Sequence, residues 1–332
     1  MAKYHKPRAG SIGYSPRVRA KKQTPSIGNY LPSQEAAPLG FLCYKAGMTH
    51  VIAKDLAKNS PTHNLDVRIP VTILDCPPLT VIGIRAYING YNGLEVLTDA
   101  LAEKLDKDLA RAMSIPKQPK TRQNIKKIED NIDAVVRITL LIATQPRKSG
   151  VGKKKPDIME IPLGGDVAAQ LEYAKKMLGS EITIRDVFNE SETVDVLAVT
   201  KGKGFQGPVK RWGIKIQKRK AKRTAHTRHV GSIGGWTPGN LSWLTPMAGQ
   251  TGYHNRVDFN KFIIKIGEKG DGINPKGGFV GYGPIKGDYL LVKGSVPGPR
   301  KRAVALRKAI RNPNKTYPLS IEYISLASPQ GT

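Results

Sequence analysis

The apolar positions of this chain come in short blocks separated by turn residues. Leu39–Tyr44 and Met48–Ala53 flank Ala46-Gly47, a pattern that predicts a bent strand pair. Val67–Asp75 and Thr80–Tyr87 are β-branched runs set apart by Cys76-Pro77-Pro78, and each predicts a strand. Val135–Ala143, Thr193–Val199, Val257–Ile266 and Tyr289–Val292 share that texture. Helical spacing appears twice. Leu101, Leu105 and Leu109 recur every fourth residue through Asp99–Met113, with Thr98 or Asp99 as N-cap. Val167, Leu171, Ala174 and Leu178 repeat the spacing between Asp166 and Gly179. Residues 299–312 fit a strand or a helix equally well. Short strands with turns at these intervals predict a mainly β protein, a barrel or a sandwich, interrupted by an α/β insertion.

The blocks suggest a division of the chain. Residues 1–38 form a basic N-terminal extension, in which Pro7, Gly10, Gly13, Pro16, Pro25, Gly28 and Pro32 forbid a helix. Free in solution it is expected to be disordered, ordering on a partner. Residues 39–96 are the first part of the β core, 97–189 the α/β insertion, and 190–204 a further core strand. Residues 205–256 are a basic, Gly-rich excursion with a tryptophan at its tip. Residues 257–332 complete the core and end in a basic segment. A structureless excursion of that length inside a compact domain is improbable unless it has a function.

Charge sharpens this division. The 332 residues carry 54 Lys plus Arg against 26 Asp plus Glu, a formal net charge of +28. Residues 1–34, 196–257 and 289–321 together hold 27 Lys/Arg and no acid, and the remaining 203 residues are nearly neutral. So many uncompensated cations repel one another unless a polyanion neutralises them, which makes nucleic acid the expected partner. A membrane surface would call for a basic amphipathic helix, and Gly and Pro break residues 1–34 and 196–257 too often for one. No apolar run nears the ~18 residues that span a bilayer. The N-terminus shows no signal-peptide stretch, and the two cysteines, Cys43 and Cys76, make no disulfide framework. A cytoplasmic protein is expected.

The chemistry-bearing motifs point the same way. Gly202-Lys203-Gly204-Phe205-Gln206-Gly207 follows a predicted strand in the form G-x-G-x-x-G. A dinucleotide site would also need a helix opening there and an acid about 20 residues on. Pro208 follows instead, and the region around Lys222 and Arg223 has no acid. The glycines more simply let the backbone approach a phosphate chain. His226 and His229 stand three apart, with His254 further on, but residues 196–257 contain no Cys, Asp or Glu to complete a zinc site. These histidines better suit bases or phosphates. No cofactor, metal, catalytic pair or small-molecule substrate is expected. The rival function is an RNA-modifying enzyme using the same basic surface. Trp212, Trp236 and Trp243 are the chain's only tryptophans. Trp212 and Trp243 could be core or surface residues. Trp236, inside Gly234-Gly235-Trp236-Thr237-Pro238-Gly239, has little to pack on and suits stacking on a base.

Several runs, in order, resemble the universal large-subunit ribosomal protein L-three family, in its archaeal type. They are Lys45-Ala46-Gly47-Met48-Thr49, Ile69-Pro70-Val71-Thr72-Ile73, Thr200–Gly207, Val209-Lys210-Arg211-Trp212, Gly231-Ser232-Ile233-Gly234, Thr237-Pro238-Gly239, Met247–Gly252 and Leu291–Gly298. The resemblance implies a six-stranded β-barrel of the translation-protein type. It implies that the N-terminal arm and the central loop penetrate large-subunit ribosomal RNA. It also implies a role in early subunit assembly, a loop tip near the peptidyl transferase centre with Trp236 at the tip position, and neighbours such as protein L-fourteen. Bacterial members carry a modifiable glutamine just after the Gly-Ser-Ile-Gly run, where this chain has Gly235-Trp236. With ribosomal RNA as the partner, the candidate contacts in the arm are Lys3, Lys6, Arg8, Arg17 and Arg19. In the loop they are Lys201, Lys203, Lys210, Arg211, Lys215, Lys218, Arg219, Lys220, Lys222, Arg223, His226, Arg228, His229, Trp236, His254 and Arg256. Arg300, Lys301 and Arg302 complete the set.

Overall fold

The computed structural model describes residues 10–217, 227–270, 272–313 and 315–328. It is mainly β. The strands are β1 (Gly40–Asp55), β2 (Asp66–Asp75), β3 (Leu79–Gly90), β4 (Gly93–Leu101), β5 (Val135–Thr144), β6 (Ile158–Pro162), β7 (Glu181–Ile182), β8 (Thr193–Val199), β9 (Phe205–Gln206), β10 (Gly249–Gln250), β11 (Asn255–Gly267), β12 (Tyr289–Lys293), β13 (Ala303–Lys308) and β14 (Leu319–Ile324). The helices are α1 (Thr121–Asp130), α2 (Val167–Met177) and α3 (Pro208–Trp212). The chain divides into two compact units, residues 23–198 with 256–332, and residues 1–22 with 199–255.

The larger unit is built on a sheet of order β13-β8-β11-β12-β2-β1-β14, in which β1 also pairs with β13. Following hydrogen-bonded neighbours from β13 through β8, β11, β12 and β2 to β1 therefore leads back to β13. β1 makes this possible by bending. Its first half, Gly40–Tyr44, pairs with β13, and its second half, Val51–Asp55, pairs with β14, while β2 runs along the other edge. The register shifts between Lys45 and Gly47, the mark of a β-bulge. The expected strand pair around Ala46-Gly47 is thus one bulged strand. A Cβ on Gly47 would lie 2.9 Å from the Phe279 ring, so the bend needs glycine. At the bulge the buried Lys45 ammonium donates to the carbonyls of Val296 and Gly298. Two of the short runs singled out in the sequence therefore meet in one contact.

β8 is buried along its whole length, including Asp195. Asp195 faces Arg307 across the β8–β13 pair, with Arg307 Nη2 donating at 3.2 Å, and it also accepts the backbone N–H groups of Asn260 and Ile310. This pairing decides the ambiguous segment 299–312 in favour of a strand. A charge in a sheet interior is tolerated only when its partners are supplied, and for Asp195 they come from β13, β11 and the turn after β13.

A second sheet has the order β4-β3-β5-β6, with β7 added beside β3. It carries α1 against β4 and α2 against β5 and β3. α2 agrees with its expected span. The helix expected over Asp99–Met113 is absent. β3 and β4 form a hairpin across Tyr91-Asn92, so residues through Leu101 are strand, and a 3₁₀ turn at Lys107–Arg111 follows, capped by Asp106. The every-fourth leucines still meet: Leu101 and Leu105 pack around buried Leu109 with Ile82 and Leu141. Long-range pairing with β3 overrode the helical spacing, and the Asn92-Gly93 turn signal was the cue. α1 was not foreseen. Residues 23–38 are not a free arm either. Leu39 N–H bonds Pro162, Gly165 N–H bonds Ser33, and Arg307 donates to the Asn29 carbonyl.

Removing one member of the buried pair leaves the other charge stranded. Asp195→Ala should cost about 3–5 kcal/mol of stability, measured as a shift in the denaturant midpoint. A loss below about 1 kcal/mol, the size of an exposed pair, would show that the pairing does not hold β8 to β13.

Candidate nucleic-acid interface

The smaller unit contains most of the expected contact residues. Its root is an antiparallel ribbon. Thr200 N–H bonds His254, Lys203 N–H bonds Thr251, Thr251 N–H bonds Gly204, and Tyr253 N–H bonds Lys201, at 2.9, 2.9, 2.9 and 3.2 Å. β9 and β10 extend it, Phe205 opposite Gln250 and Gln206 opposite Gly249. Of the G-x-G-x-x-G run, Gly204 takes a left-handed φ of +65° in this ribbon, and the tight contact comes from a glycine of the facing limb. A Cβ on Gly252, at φ +73°, would lie 1.9 Å from the Lys201 carbonyl oxygen, so the two limbs meet only through glycine. α3 then starts on Pro208 and stops on Gly213, which takes the left-handed conformation.

Trp212 at the end of α3 is the hub. It is buried, its indole N–H donates to the Met247 carbonyl at 2.8 Å, and Arg17 lies over the ring at 4.0 Å. Gly10 presses on the same ring, where a Cβ would come to 2.6 Å, and Arg17 also donates to the Ser11 carbonyl. Arg211 donates to the carbonyls of Met247 and Gln250 and sits 5.4 Å from the Trp212 centroid. Burial, and after it the positive charge of Arg17, push the Arg211 guanidinium below its ordinary value. His254 is buried too, with Nδ1 2.7 Å from the Val18 carbonyl, and Ala20 N–H bonds Tyr253. Residues 10–22 are thereby fastened to both limbs of the excursion. This part of the extension packs against the rest of its unit.

The expected contact residues therefore have different settings. Arg19, Lys201, Lys203, Lys210, Lys215, Arg228, His229 and Trp236 are exposed. Arg17 and Arg211 are half-buried and engaged with Trp212, and His254 is engaged with the arm, which leaves its ring little surface for RNA. Of the two ambiguous tryptophans, Trp212 is core and Trp243 is 66% exposed, while Trp236 is 97% exposed. Arg256, Arg300, Lys301 and Arg302 belong to the larger unit; Arg300 and Lys301 are exposed there, and Arg256 and Arg302 half-buried. Lys3, Lys6, Arg8, Lys218, Arg219, Lys220, Lys222, Arg223 and His226 lie outside the described residues.

Two grooves run over this unit. One, of about 530 Å³, is lined by Ser15, Pro16, Arg17, Arg211, Trp212, Ser242, Trp243, Thr245 and Met247. The other, of about 620 Å³, is lined by Arg19, Ala20, Lys21, Gly202, Gly204, Gln250 and Tyr253. Met247, Gln250 and Tyr253 carry no charge and were invisible as candidates; their role comes through main-chain carbonyls and position. Among the described residues, no three His, Cys, Asp or Glu side chains are placed to hold a metal ion, and no helix is long and apolar enough to cross a membrane.

Trp212→Ala should free the arm. Hydrogen exchange at the Ala20 amide, which donates to the Tyr253 carbonyl, should then accelerate strongly, since losing a buried tryptophan costs about 3–5 kcal/mol. Unchanged protection at that amide would mean the ring is not what fastens residues 10–22.

The family model described as Ribosomal protein L3 matches residues 1–331. The chain is 50% identical to the large ribosomal subunit protein uL3 of Methanosphaera stadtmanae over 337 residues, covering 100% of both chains. It is 50% identical to that of Methanobrevibacter smithii over 335 residues and 47% identical to that of Methanothermobacter thermautotrophicus over 336, again with 100% of both chains covered.

Proposed function

The chain belongs to the ribosomal protein L3 family, and from that premise we propose how its two units divide the work. It is a structural constituent of the large ribosomal subunit, not an enzyme, with ribosomal RNA and ribosomal proteins as partners. The larger unit is the anchor. The return of the ladder from β1 to β13 supports reading β13, β8, β11, β12, β2 and β1 as the six-stranded barrel of the translation-protein type. On this reading β1 and β2 of 39–96, with strands from 190–204 and 257–332, contribute the barrel, while β3 and β4 belong to the second sheet. The insertion, 97–189, faces solvent or a neighbouring protein, among which protein L-fourteen is our candidate.

The outer part of the arm, residues 1–22, and the loop, 205–256, enter the RNA. The observation that carries this is a unit ordered without a single carboxylate. Residues 196–257 contain twelve Lys/Arg and no acid, and the exposed Lys201, Lys203, Lys210, Lys215 and Arg228 point to phosphate as the counter-charge. Trp236, with almost its whole surface open, is the stacking tip, and we place it toward the peptidyl transferase centre. A cationic module that replaces counterions around folding RNA fits early action in subunit assembly. Lys3, Lys6, Arg8, Arg17, Arg19, Lys218, Arg219, Lys220, Lys222, Arg223, His229, Arg300, Lys301 and Arg302 extend the proposed contact set.

Binding to a large-subunit RNA fragment should fall about 10³–10⁵-fold between 50 and 200 mM salt if roughly 6–10 phosphates are neutralised. The variant Lys201→Gln/Lys203→Gln/Lys210→Gln should flatten the slope of log affinity against log salt by roughly 3. A salt-independent affinity, or an unchanged slope in that variant, would refute the phosphate assignment.

A further inference from the structure

The groove over Trp212 has a chemistry that counterion replacement does not use. Backbone neutralisation needs exposed ammonium and guanidinium groups, whereas this groove is built from Trp212, Trp243, Met247 and two half-buried arginines. Its floor is fixed at two points, since Trp212 is held at its edge by the Met247 carbonyl and on one face by Arg17. Its other wall, Trp243, is two-thirds exposed, a large apolar ring left open to solvent beside a cavity. Arg17 adds a second signal. Its Nε is buried and has no acceptor among the described residues, although the rest of its guanidinium is engaged with Ser11 and the Trp212 ring.

We infer that this groove captures a single unstacked base of an RNA strand, between Trp243 and the Arg17–Trp212 stack. The occupant follows from the surroundings. No carboxylate occurs in residues 1–34 or 196–257, so a basic protein segment would meet only like charge, whereas a nucleotide brings both an aromatic face and an anion. The phosphate or sugar flanking the base supplies the acceptor for the Arg17 Nε–H, which lies in the guanidinium plane and out of reach of a base stacked on its face. The strand then has a path to continue along the arm, because Arg19 and Lys21, with Gly202 and Gly204, line the second groove of the same unit. The arm segment 15–21 lies between the two grooves and contributes to both. The inference rests on the RNA-binding reading above and adds to it a site for one unpaired nucleotide, distinct from the Trp236 tip.

The test uses the full chain and two RNA hairpins, one with a single bulged 2-aminopurine and one with the same base paired to uridine. The bulged hairpin should bind more tightly, with its fluorescence quenched on binding. Trp243→Ala should abolish the quench and weaken that complex about 5- to 150-fold, the range for loss of one base–aromatic stack, leaving the paired hairpin unaffected. Trp243→Phe should retain the quench. Tyr91→Ala, at a fully exposed turn of the larger unit, should change neither complex. Equal affinity for both hairpins, with no quench and no effect of Trp243→Ala, would overturn the base pocket, assign the groove to another occupant such as a protein side chain, and leave RNA binding intact. Failure of either hairpin to bind at low salt would overturn the RNA-binding reading, and the pocket with it.

Discussion

A segment rich in cations and devoid of carboxylates cannot order itself through ion pairs, and the smaller unit is shaped by that constraint. Its arginines find other acceptors. Arg17 uses a ring face and a carbonyl, and Arg211 uses the carbonyls of Met247 and Gln250. Each contact fixes a guanidinium without cancelling its charge. The unit therefore stays fully cationic while ordered, as a module meant for a polyanion must. The larger unit solves the same problem in the opposite way. Arg307 is matched by Asp195, and Arg85 is clasped by Asp99 and Glu160 on the second sheet. One chain thus uses arginine in two dielectric and electrostatic regimes, neutralised where the sheets pack and left charged in the smaller unit.

The larger unit depends on a strand that serves several neighbours. β1 pairs with β13, β2 and β14, and the bulge at Lys45–Gly47 redirects it from one partner to the next. Lys45 is buried there and its ammonium is spent on carbonyls of the 296–298 turn, a structural use of a lysine in a basic protein. Charge counting alone would have assigned it to the surface.

Much of the β core was legible because strands buried on both faces read as nearly continuous apolar runs. β2, β5, β8 and β12 declare themselves in this way through Ile69–Ile73, Val135–Ala143, Val194–Val199 and Leu290–Val292. The error at 99–113 arose where a periodic leucine spacing competed with a hairpin that only its turn residues announce. Of the proposed interface, the charge and the exposure of the tryptophan at Gly234–Gly239 were readable, since both are local properties. The fastening of the arm to the excursion was not. It depends on a ring, a glycine and an arginine far apart in sequence, with main-chain carbonyls as acceptors, and a carbonyl leaves no compositional trace.

The ribbon between Lys201–Gly204 and Thr251–His254 has an evolutionary corollary. Because the two limbs are clamped together at their base, the span between them is a loop whose ends are already closed. Doubling the length of such a loop costs only about 0.6 kcal/mol in closure entropy. Insertions and deletions beyond the clamp would alter reach without disturbing the strands that anchor it. Gly252, wedged against the Lys201 carbonyl, is by contrast a position where hardly any change is affordable. Drift among descendants of this chain should concentrate on the length of the outer segment and spare its root.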